Sequence, residues 1–296
     1  MLSAPSKSRT DLFSITFRKG SSAVRYFAKI SYLGCAYSGF QWQPNRKTVQ
    51  GELNRACLEL FGVPCAVTGC SRTDSGVHAR DFSLTIDVPT GGACVPPSAL
   101  PRAIACHLPK DIILFYACEA DESFHARYDV AYKEYVYRIL AAPIGDPFLY
   151  GRVWQYHYPL LSDACERMNA AATHLVGTHD FSAFKNDDGV ERDAVRTVKW
   201  LRVTSETQKE EVREDGFPTG AHLGTNLCVS VAADGFLYNM VRIITGTLAD
   251  VAVGRISPDE IPSILESKKR ARAGVTAPPD GLYLHRVVYG RLPKID

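Results

Sequence analysis

None of the apolar runs in this 296-residue sequence approaches the roughly 18 residues needed to cross a bilayer, so a helical membrane span is excluded and a soluble protein is expected. No C-x-x-C pair occurs either. The nine cysteines are odd in number and scattered, which argues against structural zinc and for reduced thiols in a cytosol-like, cytoplasmic compartment. A strong charge bias is also missing. With 34 Lys and Arg against 32 Asp and Glu the formal net charge is only +2, and bulk charge alone does not point to a nucleic-acid partner. The eight histidines form no H-x-x-x-H pair, so a zinc site gains no support from spacing.

The composition that remains is that of a globular protein, 46% hydrophobic and 22% charged, over a length that suits two compact units better than one core. Met1 to Ser22, rich in Ser, Lys and Arg, reads as a disordered or loosely attached tail. A transit peptide shares that composition, but Asp11 and the lack of an amphipathic face argue against one. Glu206 to Asp215 is acidic and reads as a solvated turn between strands, and the basic run Lys268 to Arg272 as a solvated helix end.

Hydrophobic periodicity organises the rest. Tyr26 to Tyr32 alternates like a half-buried strand. Val49, Leu53, Cys57 and Leu60 recur at helical spacing between Thr48, an N-cap, and Gly62, a stop. Strands at Cys65 to Cys70 and Phe82 to Val88 follow, then a helix around Leu100, Ile104 and Leu108 and a strand at Ile112 to Cys118. This order is βαββαβ, the ferredoxin-like arrangement. It recurs with the strand Tyr132 to Leu140, the helix Ser162 to Val176, strands at Val195 to Thr204 and Leu227 to Ala233, an amphipathic helix over Phe236 to Val253, a short helix near Pro258 to Ser267 and the strand Leu282 to Tyr289. The expected fold is therefore α+β: two ferredoxin-like units, residues 23–120 and 121–296, with mainly antiparallel sheets and an active-site cleft between them.

Four stretches carry candidate chemistry. Ser71 to Arg80 sets one carboxylate, Asp74, among turn formers and basic residues directly after a strand-like run, and Gly69 and Gly76 are expected to let the chain turn there. The bland alternative is that Asp74 merely closes an Asx-turn. In Lys133-Glu134-Tyr135-Val136-Tyr137 strand geometry points Lys133, Tyr135 and Tyr137 to one side, where tyrosines are usually core. Arg242 sits off the apolar stripe of its helix, where an arginine is normally solvated. Leu282 opens the last strand, an ordinary place for a buried residue.

Arg72-Thr73-Asp74-x-Gly76-Val77-His78-Ala79 resembles the signature loop of the TruA family of tRNA pseudouridine synthases. Gly34 to Gln43 with Thr48 to Gly51, Phe124 to Tyr137, Gly177 to Phe184, Gly235 to Arg242 and Ala277 to Leu284 resemble its other motifs, with Phe40 where a tryptophan is commoner. The resemblance spans Tyr26 to Tyr289. It implies that Asp74 is the catalytic nucleophile, with attack on ribose C1′ or uracil C6 left open, and that Tyr135 lies against the base as proton acceptor. Arg242 would pair with Asp74, holding it with two hydrogen bonds and resisting a desolvation-driven rise in its pKa, while Leu282 would floor the pocket. Arg72 is suited to fill the space left by a flipped nucleotide. The implied substrate is uridine at positions 38, 39 and 40 of the tRNA anticodon stem-loop, or other tRNA positions, with no metal or organic cofactor, and a homodimer carrying one tRNA across both subunits.

Two rivals stand beside this. A non-catalytic RNA-binding module would use sheet aromatics alone. A metal-dependent hydrolase would assemble Asp74, His78, His125, His179 and Asp180.

Overall fold

Strand β1 (Val24–Tyr32) buries Tyr26, Ala28, Ile30 and Tyr32 as its alternation requires, in a computed structural model that describes residues 23–187, 189, 193–207 and 224–291. The tail over 1–22 and most of the 206–215 acidic stretch lie outside those residues. Helix α1 (Val49–Phe61) starts where the Thr48 hydroxyl accepts a hydrogen bond from Gly51 N, and ends at Gly62 in the left-handed region, φ 72°. Its buried face, Val49, Leu53, Ala56, Cys57 and Leu60, joins the main core with β1 and the strand that follows. Removing the Thr48 cap would cost about 1 kcal/mol.

Strands β2 (Ala66–Gly69), β3 (His78–Val88) and β4 (Ile112–Glu119), with helix α2 (Leu100–Ala105) before β4, complete the first half. Its strand order is β4-β1-β3-β2, all antiparallel. The second half contains β5 (Val130–Ala141), β6 (Trp154–Tyr156), α3 (Ala164–Thr173), β7 (Gly177–Asp180), β8 (Val195–Thr207), β9 (Thr225–Ala233), α4 (Met240–Ala252), α5 (Ile261–Ser267) and β10 (Leu282–Tyr289). The order β10-β5-β9-β8 is again antiparallel throughout. The short β6 and β7 lie beside β5 and β8 and carry too few residues to be read from periodicity.

The two halves make a single ten-stranded, mainly antiparallel sheet, joined by a short parallel pairing of β10 with β3 at Tyr283–His78 and Leu284–Ala79. That joint falls at the start of β3, immediately after the Asp74 loop. Among the described residues the sheet, six short 3-10 turns and five α-helices give an α+β fold.

Helix α4 departs from expectation in two ways. It begins at Met240, four residues late, because Asn239 holds a left-handed φ of 60°, which no α-helix accommodates. It is also buried almost all round, because the segment around Gly274 to Ala277 lies across the side that a single apolar stripe would have left to solvent. A Cβ on Gly246 would stand 1.9 Å from Val275 O. In the basic run, Arg270 turns inward instead of into solvent and donates to Asn186 Oδ1, Gly274 O and Thr276 Oγ1.

Candidate active site

The Asp74 loop runs from the end of β2 into β3 and is pinned to the chain around Tyr37 and Phe40. Phe40 N donates to Thr73 O and Gly76 N to Tyr37 O, each at 3.2 Å, and the Thr73 and Tyr32 hydroxyls meet at 2.8 Å. Two glycines make the close approach possible. Gly76 has φ 82°, and Gly39, at φ 91°, sits where a Cβ would lie 2.7 Å from Thr73 O. Gly69, expected to help the turn, does something else: its missing side chain leaves room for the stacked rings of Phe40 and Phe82, 4.2 Å apart.

His78, a candidate ligand in the hydrolase reading, closes the loop's other end instead. Its Nδ1 accepts from Gly34 N at 3.0 Å, so Nε2 carries the proton and donates to Asp280 O at 3.0 Å. The fully buried ring thereby links the amino-terminal motif, the Asp74 loop and the last motif, and burial pushes its pKa down, keeping it neutral.

Asp74 ends half-buried, and among the described residues its carboxylate accepts no hydrogen bond, its own backbone included. Its nearest charged neighbour is Arg242, Nη1 to Oδ2 at 4.0 Å. The expected pair of hydrogen bonds between them is absent; instead Nε donates to Ala277 O at 2.7 Å and Nη1 to Asn239 Oδ1 at 2.8 Å. The strap over α4 and the left-handed Asn239 thus explain why an off-stripe arginine is not solvated. Burial raises the Asp74 pKa above its usual 3.8, and Arg242 and Arg72 oppose that rise without cancelling it.

Asp74, Arg72, Tyr135 and Leu282 line one cavity of about 420 Å³, within the range of small-ligand sites. Tyr135 is buried against the Phe236 ring, edge-on at 4.9 Å, and burial pushes its hydroxyl pKa well up, with a hydrogen bond to Ser71 opposing. Leu282 faces the same side, paired across the sheet with Tyr137, whose hydroxyl donates to Pro278 O at 2.6 Å and packs as expected. Sequence reasoning misses the turn Phe236 to Asn239, which forms one wall, because its apolar spacing continues that of the helix. Lys133 and Arg127 also reach the cavity, and burial lowers the Lys133 pKa. Of the basic residues near the motifs, Arg80 and Arg138 do not join it; they lie on the other side of the sheet.

The residues of the hydrolase reading do not come together. His125 accepts from Arg127 N, His179 bonds Val176 O, and Asp180 pairs with Lys268 at 2.8 Å. Among the described residues no group of three or more His, Cys, Asp or Glu is arranged to hold a metal ion, and no helix is long and apolar enough to cross a membrane.

Comparison with known proteins identifies the family. A family model described as tRNA pseudouridine synthase matches residues 171–290. The tRNA pseudouridine synthase A of Thermoanaerobacter sp. (strain X514) is 40% identical over 260 residues, covering 88% of this chain and 97% of the relative. That of Acetivibrio thermocellus is 40% identical with the same coverage, and that of Bacillus subtilis (strain 168) is 38% identical over 270 residues, 90% and 99% of the two chains.

Proposed function

This chain belongs to the tRNA pseudouridine synthase A family, and we propose that it isomerises uridine to pseudouridine at positions 38, 39 and 40 of the tRNA anticodon stem-loop with Asp74 as the nucleophile. The observation that carries the site assignment is a half-buried carboxylate, free of hydrogen bonds among the described residues, that lines a cavity with Tyr135 and Leu282 and stands 4.0 Å from the tethered Arg242 behind that wall.

The reaction breaks the N-glycosidic bond, turns the uracil and rejoins it through carbon. A carboxylate with few competing partners is a better nucleophile than one held by two strong donors, and the Arg242 guanidinium gives it direction without quenching it. Whether Asp74 attacks ribose C1′ or uracil C6, the apolar walls, Leu282 among them, keep water from the detached sugar. Tyr135 then takes the C5 proton. Its hydroxyl is neutral, so it accepts that proton only while passing its own to its hydrogen-bond partner Ser71, which is partly exposed and in turn releases its own proton to solvent water. Arg72 is exposed at the rim, where it can fill the stack vacated by an everted nucleotide.

The same reading takes residues 23–120 and 121–296 as two ferredoxin-like units, supported by the matching orders β4-β1-β3-β2 and β10-β5-β9-β8. It takes the protein to be a cytoplasmic homodimer; nine free thiols suit a reducing compartment. Tritium release from tRNA labelled at C5 of uridine tests the function. Release mapped to positions 38, 39 and 40 is expected, whereas RNA binding without release would leave only a binding module.

A further inference from the structure

A second concavity, of about 440 Å³, lies on the face of the sheet opposite the Asp74 cavity. Alternation along β10 fixes the two sides: Leu282 and Leu284 face the core and Asp74, and Tyr283 faces away. Around Tyr283 stand Arg80, Lys110, Arg138 and Arg152, from four separate stretches of chain. The Arg80 and Arg138 guanidiniums lie 5.7 and 5.3 Å from the Tyr283 ring centroid, and the ring itself is held by stacking on His78 and by its hydroxyl donating to Arg152 O at 2.6 Å. The one acid in the lining, Asp111, accepts a hydrogen bond from the Tyr37 hydroxyl at 2.6 Å. None of the four cations has an ion-pair partner among the described residues.

Four unpaired like charges around one hollow repel one another, and an anion in the hollow relieves that repulsion. The neighbouring surface says which anion. Phe148 and Tyr150, 82% and 83% exposed, stand on the same loop as the lining residues Leu149 and Arg152. Cations that track a backbone beside aromatic rings free to stack are the chemistry of unpaired nucleotides. We infer that this hollow holds a phosphodiester of bound RNA, with a base stacked on Phe148 or Tyr150, at a nucleotide other than the one reacting at Asp74. The inference rests on the tRNA reading above for the identity of the RNA.

The test measures tRNA affinity against salt, with sedimentation at the same concentrations, for R80Q/R138Q on the strands, K110Q/R152Q in the loops, and F148A/Y150A. Each charge-removing pair is expected to weaken tRNA binding severalfold and to reduce the salt slope by about 1 for every phosphate that the variant no longer neutralises. F148A/Y150A is expected to weaken binding with the slope intact. Unchanged affinity and slope in both charge pairs overturns the site. Weaker binding that tracks a change in sedimented mass also overturns it, in favour of an interface between copies. A wild-type protein that makes no pseudouridine yet binds tRNA through these residues would defeat the enzymatic reading and leave this one standing.

Discussion

The Arg242 guanidinium is aimed at Asp74 by two partners that are not Asp74: the Asn239 side chain at 2.8 Å and the Ala277 carbonyl at 2.7 Å. Its Nη1 then stands 4.0 Å from the carboxylate. Direction is set by the fold before any substrate arrives. Asn239→Gly removes one tether while keeping the left-handed backbone and both charges, so we expect tRNA affinity to hold while kcat falls roughly 10- to 100-fold, the range set by small misplacements of catalytic groups. Single-turnover kinetics beside a binding isotherm separates the two quantities, and an unchanged kcat would deny Asn239 its positioning role.

Asp74→Asn should remove detectable pseudouridine formation while tRNA still binds, because the amide keeps the shape and loses the nucleophile. A second consequence follows from burial. Folding raises the Asp74 pKa, so the native state favours the protonated form; that stabilisation is complete below the unfolded-state pKa and is lost as pH rises through the folded-state value. At neutral pH the ionised carboxylate is therefore a net liability to stability, and the Asn variant should melt at a higher temperature than the wild type. A lower Tm at pH 7 would contradict the raised pKa.

Local signals make most elements legible. Thr48 and Gly62 bound α1 as capping chemistry demands, and the strand expected at Leu282 to Tyr289 matches β10 to the residue. The candidate site is legible only through motif resemblance, since Asp74, Tyr135, Arg242 and Leu282 come from four distant stretches that meet through the β3–β10 pairing. No periodicity reports a long-range parallel pairing of so few residues. The start of α4 is hidden for a similar reason: Phe236 to Asn239 has a helical apolar pattern, yet Asn239 φ 60° and the bond to Arg242 serve the site instead. Tertiary structure overrides propensity there.

The proposed role of Asp74 as nucleophile requires its ionised form, so on that proposal kcat/KM should fall as pH drops through a pKa lying above the ordinary carboxylate value. Arg72 and Arg242 both hold that pKa down. Arg72→Gln should move the acid limb of the pH–rate profile to higher pH, and the basic side of the same profile should not follow. A limb that stays in place would show that Arg72 contributes no charge stabilisation to Asp74.

His78→Ala tests the link between three motifs. The substitution leaves the buried Gly34 N–H and the half-buried Asp280 carbonyl without partners and opens a cavity under Tyr283. Loss of one buried and one half-buried hydrogen bond and of the packing of the ring should destabilise by about 2 to 5 kcal/mol. Denaturant unfolding gives the figure, and a change below about 1 kcal/mol would mean that the links form without the imidazole.

Tyr135→Phe isolates the last chemical step. The ring still packs edge-on against Phe236, so the cavity and tRNA affinity should survive, but no hydroxyl remains to take the C5 proton. If rejoining through carbon precedes proton removal, the variant should stall with uracil attached through C5 and its proton retained. Tritium release would then be abolished while loss of the original N-glycosidic bond continues. Measuring both on the same tRNA decides the order. Parallel loss of bond cleavage and release would instead make the Tyr135 hydroxyl part of the first step, where its neighbour Asp74 acts.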